Sequence, residues 1–237
     1  MTSAKQHSTT SKQIALTVCL SGLYAISCFI PLFQIVGSKG FITLAAMLAP
    51  SIGILFGPFI AVLSSLIGGC TAFFWGVLSP SSLVSGVVAA FFASFLRQKN
   101  GLLCVPFYSA LLFVFGFYPH VGPVWLFPSL MWFQIVGFLA LAWYTLRNNN
   151  PNHLVSFSII SLVSTLAGQI AGSIVFEATN WPILIPDLNA WKAIWQGLTF
   201  IYPAERTIIA IGSTFIAIAV HKALKNTDPA LNFNSQL

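Results

Sequence analysis

The sequence predicts an all-α, polytopic integral membrane helix bundle with six to eight transmembrane helices and both termini in the cytoplasm. Three observations predict it. First, 57% of the 237 residues are hydrophobic and only 6% are charged. A soluble chain carries about 25% charged residues, so lipid must face much of this one. Second, the apolar residues fall into long runs. Third, the ten Lys and Arg behind the net charge of +6 punctuate those runs. A nucleic-acid face would cluster them; topology signals are spaced in this way.

The apolar segments number eight: Ile14 to Val36, Phe41 to Phe56, Pro58 to Leu78, Ser82 to Leu96, Leu102 to Tyr118, Val124 to Leu146, Leu154 to Phe176 and Pro203 to Leu224. A span needs about 20 residues, so the second and fourth are short. They are read as tilted pairs or as segments that stop within the bilayer. Residues 1–13 form a polar cytoplasmic tail, 14–224 a single transmembrane domain, and 225–237 a second polar cytoplasmic tail. The first apolar run is long enough to span and is read as a retained helix, not a signal peptide. With the N-terminus inside, Lys5, Lys12, Arg97, Lys99, Arg147, Lys222 and Lys225 fall on the inner side. Lys39 and Lys192 fall outside, and Arg206 lies near the outer end of the last helix. That asymmetry obeys the positive-inside rule and favours an even number of spans.

The outer connection reads "EATNWPILIPDLNAWKAIWQGLTFIYPAER". Asp187 can cap a helix starting at Leu188, and Leu188, Trp191, Trp195 and Leu198 share one helical face. An amphipathic helix on the outer surface, or over a cavity there, is expected. The preference of Trp for the membrane interface accounts for the aromatic residues without a ligand.

The stretch "ITLAAMLAPSIGILFGPFIAVLSSLIGG" contains a helix break. Gly57 permits a tight turn, and Pro58 suits a first helical turn because its missing N–H would be unpaired there. Gly57, Ala61, Ser65 and Gly69 then recur every fourth residue, a stripe that lets another backbone approach closely in lipid. Ser164, Gly168 and Gly172 repeat the device, and Ser21 and Ala25 form a weaker version. These stripes serve packing within the bundle or docking against another membrane subunit.

Together with "SPSSLVSGVVAAFFASFLRQKNG", that stretch resembles the first half of the substrate-binding (S) components of energy-coupling factor transporters, over roughly residues 14 to 100. Gly57-Pro58, Gly68-Gly69 and Arg97-Gln98-Lys99 occupy the family's GP turn, Gly-rich third helix and short basic loop. The S components usually have six spans, and their Ala-x-x-x-Ala contact motif is met here by Ser21 to Ala25. The resemblance implies a membrane-embedded protein that captures a vitamin-like micronutrient from outside. It also implies delivery with a transmembrane coupling (T) subunit and a pair of ATPases, in the cell membrane. No GxxxxGK[ST] occurs in the chain, as expected if nucleotide chemistry belongs to partners.

Candidate site residues are few. Of the four acids, Asp228 is in the C-terminal tail, while Glu177, Asp187 and Glu205 lie toward the outer face. An ionisable residue at membrane depth is costly and reads as functional. Arg206 is expected either to meet Glu177 as an ion pair in a cavity wall or to snorkel to the interface. Glu205 either faces the bundle or favours a helix N-terminus. Gln134 and Gln169 need buried partners, from other helices or from a ligand. Trp75, Trp125, Trp132 and Trp181 fall toward the outer side, and a flat heterocycle can stack on such rings. The expected pocket comprises Gln169, Glu177, Asn180, Glu205 and Arg206, with Trp125, Trp132 or Trp181 as stacking residues.

Cys19, Cys28, Cys70 and Cys104 sit in apolar runs without CxxC spacing, which argues against zinc. Neither His120 nor His153 belongs to a triad, and no HExxH occurs, so neither enzyme, cofactor nor metal is expected. The alternative function is a membrane structural or assembly subunit with no ligand of its own.

Overall fold

The computed structural model describes residues 2–34, 41–147 and 152–227, with side chains from Ser11 to Leu224 within those ranges. Lys39, Asp228 and the side chains of Lys5 and Lys225 lie outside the described residues. The architecture is an all-α bundle with one small hairpin. Its elements are α1 (Thr2–Ser27), β1 (Pro31–Gln34), β2 (Phe41–Thr43), α2 (Ala45–Leu55), α3 (Pro58–Phe74), α4 (Pro80–Arg97), α5 (Gly101–Gly116), α6 (Pro123–Leu126), a 3-10 turn (Pro128–Met131), α7 (Trp132–Leu146), α8 (His153–Asn180) and α9 (Leu188–Thr227).

Polarity is inverted relative to a soluble protein. Phe74, Leu102, Ile183 and Phe200 are among the most exposed large side chains, while Gln134, Ser161, Ser213, Glu177 and Arg206 are buried. Soluble monomers rarely expose large apolar patches, and hydrophobic exteriors around polar interiors suit a lipid solvent. Among the described residues, four stretches are long and apolar enough to cross a membrane: Pro80–Arg97, Pro128–Leu146, His153–Asn180 and Leu188–Leu224. Helices α2, α3 and α5 are apolar but shorter.

Local chemistry explains the boundaries. Ser79 and Pro80 start α4, with the Ser79 hydroxyl accepting from the Ser82 N–H at 3.2 Å. Gly57 and Pro58 separate α2 from α3. Asp187 accepts from the Asn189 N–H at 2.9 Å and opens α9.

Four segment expectations are corrected. The first run does not stay helical to Val36: α1 ends at Ser27 and the chain turns into β1 at Pro31. Proline removes an N–H and steers the residue before it away from helix. β1 pairs antiparallel with β2, so the second run begins as a strand, with Gln34 opposite Phe41. The sixth run is broken at Pro128 into α6, the 3-10 turn and α7. The eighth helix does not begin at Pro203: α9 is one helix of 40 residues with Pro203 inside it.

Helix α8 is the axis of the bundle and is buried along most of its length. Its glycines set the distance to α4. A Cβ on Gly168 would lie 2.5 Å from the Ser85 carbonyl oxygen, and one on Gly172 would lie 2.8 Å from that of Ser81. Gly53 brings α2 equally close to α4, at Ala90 and Ala93. On α3, Gly68 lies against the α1 backbone between Ser21 and Ala25, and Gly69 against Leu83 and Tyr24. Ala61, Ser65 and Ser164 are fully buried, whereas Gly57 has open space around it. Apart from Gly57, these small residues of α3 and α8 make contacts within the chain.

Hydroxyls join the helices in the interior. Ser51 of α2 lies 3.1 Å from the Ser213 hydroxyl of α9, and Ser161 of α8 donates to that same hydroxyl at 3.3 Å. Such bonds substitute for the hydrophobic drive that lipid does not supply between helices.

Candidate functional site

A cavity of about 80 Å³ lies at the hairpin end of the bundle. Tyr24 of α1, Ile42 and Thr43 of β2, and Ala45 and Ala46 of α2 form one side. Ser81, Ser82, Ser85, Gly86 and Ala89 of α4 form another, below Leu78. Thr165, Gln169, Gly172, Ser173 and Phe176 of α8 face them, and Tyr202 and Arg206 of α9 complete the wall. Helical spacing accounts for this convergence. Residues 165, 169, 172, 173 and 176 share one face of α8, as residues 81, 82, 85, 86 and 89 share one face of α4.

Two of the expected site residues, Gln169 and Arg206, line the cavity. Gln169 accepts from the Gln134 amide at 3.1 Å and donates toward the Ser173 hydroxyl at 3.5 Å. Gln134 is held from α5, where the Tyr108 hydroxyl donates to its backbone carbonyl at 3.0 Å. A polar chain thus runs from Gln134 through Gln169 to the cavity.

Arg206 is 7% exposed, and its Nε has no hydrogen-bond partner. Its guanidinium carbon sits 5.4 Å from the centre of the Tyr202 ring, one helical turn earlier, within cation–π range. The expected Arg206–Glu177 ion pair is not formed. Glu177 is fully buried one turn beyond Ser173, and neither carboxylate oxygen meets a donor. Glu205, next to Arg206 in sequence, is buried and is not part of the cavity wall.

The remaining expected residues stand outside the cavity. Asn180 uses its amide to hold the Phe176 carbonyl at 2.7 Å, at the end of α8. Trp181 packs on the apolar core, with its ring 6.1 Å from that of His120. Trp125 is 58% exposed and meets the edge of Phe117.

Trp132 has a local task that arises from Pro203. A proline inside a helix cannot donate to the carbonyl four residues earlier, here Thr199. The Trp132 indole N–H donates to that carbonyl at 3.2 Å. Trp132→Phe is expected to lower stability by about 1–3 kcal/mol, the cost of an orphaned buried carbonyl, read as a fall in the thermal midpoint in detergent. In a Pro203→Ala background the same change should cost less, because residue 203 then supplies the missing N–H. Equal losses in both backgrounds would break the link.

The hydroxyl wall was not anticipated, although signals for it exist. "SPSSLVSG" places serines at 79, 81, 82 and 85 in the first turns of α4, and Tyr202 stands four residues before Arg206. The indoles of the outer connection also depart from the expected surface helix. Trp191 and Trp195 belong to the core, not to a surface helix, and donate to the Ile185 and Val121 carbonyls at 2.9 and 2.7 Å.

Fold and cavity together define a class: a polytopic α-helical bundle of membrane type with a cavity at one end that carries polar groups among apolar ones. Neither the protein-family models, nor the curated proteins, nor the solved structures include a match to this chain.

Proposed function

We propose that the protein is the substrate-binding subunit of an uptake system for a small, vitamin-like solute, with its pocket toward the outside of the cell membrane. The observation that carries this reading is the cavity itself. Polar side chains from three helices converge on it, and its one charged wall residue, Arg206, is buried without an ion-pair partner. A scaffold subunit would gain nothing from desolvating an arginine beside a void. The hairpin residues Ile42 and Thr43 form part of the cavity wall at that end of the bundle. Arg97, Arg147 and Lys222 sit toward the opposite end, where α4, α7 and α9 finish, which suits a cytoplasmic location for that end. The resemblance to S components adds the expectation that a coupling subunit and ATPases supply the energy.

The test is a thermal-shift screen of the detergent-solubilised chain against water-soluble vitamins and small acids, amines and neutral solutes. At least one solute should stabilise the protein, by about 2.7 kcal/mol at a hundredfold excess over its Kd. Ala46→Trp, which fills the cavity from α2, should abolish that gain while the chain stays folded. If no solute of any charge class shifts the midpoint, the binding reading fails and the assembly-subunit alternative takes its place.

A further inference from the structure

The wall chemistry specifies the solute further. Arg206 is the only charged side chain lining the cavity, and no carboxylate of the described residues lies within ion-pair distance of it. Around it stand neutral groups: the Gln169 amide and the hydroxyls of Ser81, Ser85 and Thr165. The Thr165 hydroxyl is buried with no partner of its own. A buried guanidinium whose Nε lacks a partner, a partnerless Thr165 hydroxyl in the same wall and no acid in that wall make a site suited to a negative charge. The planar fork of arginine matches a carboxylate through two parallel hydrogen bonds.

The number of charges is limited as well. One guanidinium compensates one negative charge, and no other cation of the described residues lines the wall to compensate a second. The wall also carries apolar residues, among them Leu78, Ala45 and Ala89, which suit a short hydrocarbon body. Size follows from the volume. About 80 Å³, where roughly 10–15 Å³ holds one water, is room for a small solute.

We propose that the cavity binds a small monocarboxylate, with its carboxylate on Arg206 and its apolar remainder against α2 and α4. This rests on the solute-binding reading and names the substrate class of that pocket.

The experiment uses the purified full chain in detergent and measures binding by calorimetry and thermal shift. The probes are propionate, lactate, butyrate and valerate, each beside its own amide, with butylammonium and inorganic phosphate. At least one acid is expected to bind at least tenfold more tightly than its amide, and than butylammonium or phosphate. Arg206→Gln should erase that preference, and Thr165→Val should weaken acid binding several-fold without changing the fold. If Arg206→Gln does not fold, the acid–amide ratio and Thr165→Val still decide. Amides or the amine binding as well as the acids would overturn the carboxylate assignment and leave the solute-binding reading standing. Phosphate binding as tightly as the best acid would overturn the single-charge argument. If none of these acids binds while a neutral, cationic or larger solute does, the substrate class is wrong but the pocket is real. If nothing binds at all, both readings fall together.

Discussion

Gly168→Leu is expected to cost about 3 kcal/mol or more and to lower the melting midpoint of the detergent-solubilised protein sharply. Leucine is a far better helix former than glycine, so propensity alone predicts the opposite sign. Packing decides it. A Cβ at this position would stand 2.5 Å from the Ser85 carbonyl oxygen and 3.0 Å from the Ala89 Cβ. The first is backbone and cannot swing aside. Helices α4 and α8 would have to separate, and the neighbouring contact of Gly172 on Ser81 would open with them. Overpacking of this kind typically costs 1–3 kcal/mol, occasionally more, and here it falls on the central helix. Gly22→Leu is the control. Nothing lies within 4 Å of a Cβ at Gly22, so that variant should melt close to the parent. If both variants melt alike, close contact between α4 and α8 does not hold the bundle together.

Trp195→Ala should be comparably severe, at about 3–5 kcal/mol for a buried aromatic truncated to alanine. The ring is fully buried. It presents a face or edge to Phe115 at 5.8 Å and to Trp191 at 5.5 Å. Its N–H also satisfies the Val121 carbonyl in the α5–α6 connection. Trp195→Phe separates the two contributions. It keeps most of the ring contacts and removes the hydrogen bond, so a loss of about 1–3 kcal/mol is expected. Trp125→Ala, at an exposed position, should be nearly silent. Equal midpoints for Trp195→Ala and Trp125→Ala would contradict the core placement of Trp195.

The same tryptophans mark where sequence reading succeeds and where it stops. The helical spacing of Trp191, Trp195 and Leu198 and the cap at Asp187 are local, and both are found in α9. Their destination is not local. An apolar face fits a lipid interface as well as a protein interior, and only tertiary contacts decide between them. Pro203 is instructive for the same reason. Proline suits a first helical turn, so a helix start there is the natural expectation. The chain continues as helix because an indole from α7, distant in sequence, occupies the carbonyl that the proline abandons. The break at Pro31, by contrast, was open to local reasoning, but a long hydrophobic run conceals a turn.

The site divides along similar lines. Gln169 and Arg206 are conspicuous because amides and charges are rare at membrane depth, and both line the cavity. Ser81, Ser85 and Thr165 are inconspicuous, because hydroxyls in apolar helices usually bond back to their own carbonyls or to a neighbouring helix. Ser64 and Thr214 do the former. Only the meeting of α4 with α8 distinguishes a hydroxyl that faces a void.

Helix α9 carries Arg206 in its middle and runs unbroken for 40 residues, about 60 Å at 1.5 Å per residue. It is a lever with its load part-way along and its handle at the far end of the molecule. A push on that handle is transmitted to the guanidinium without any intervening joint, so displacing the far end of α9 moves Arg206 with it.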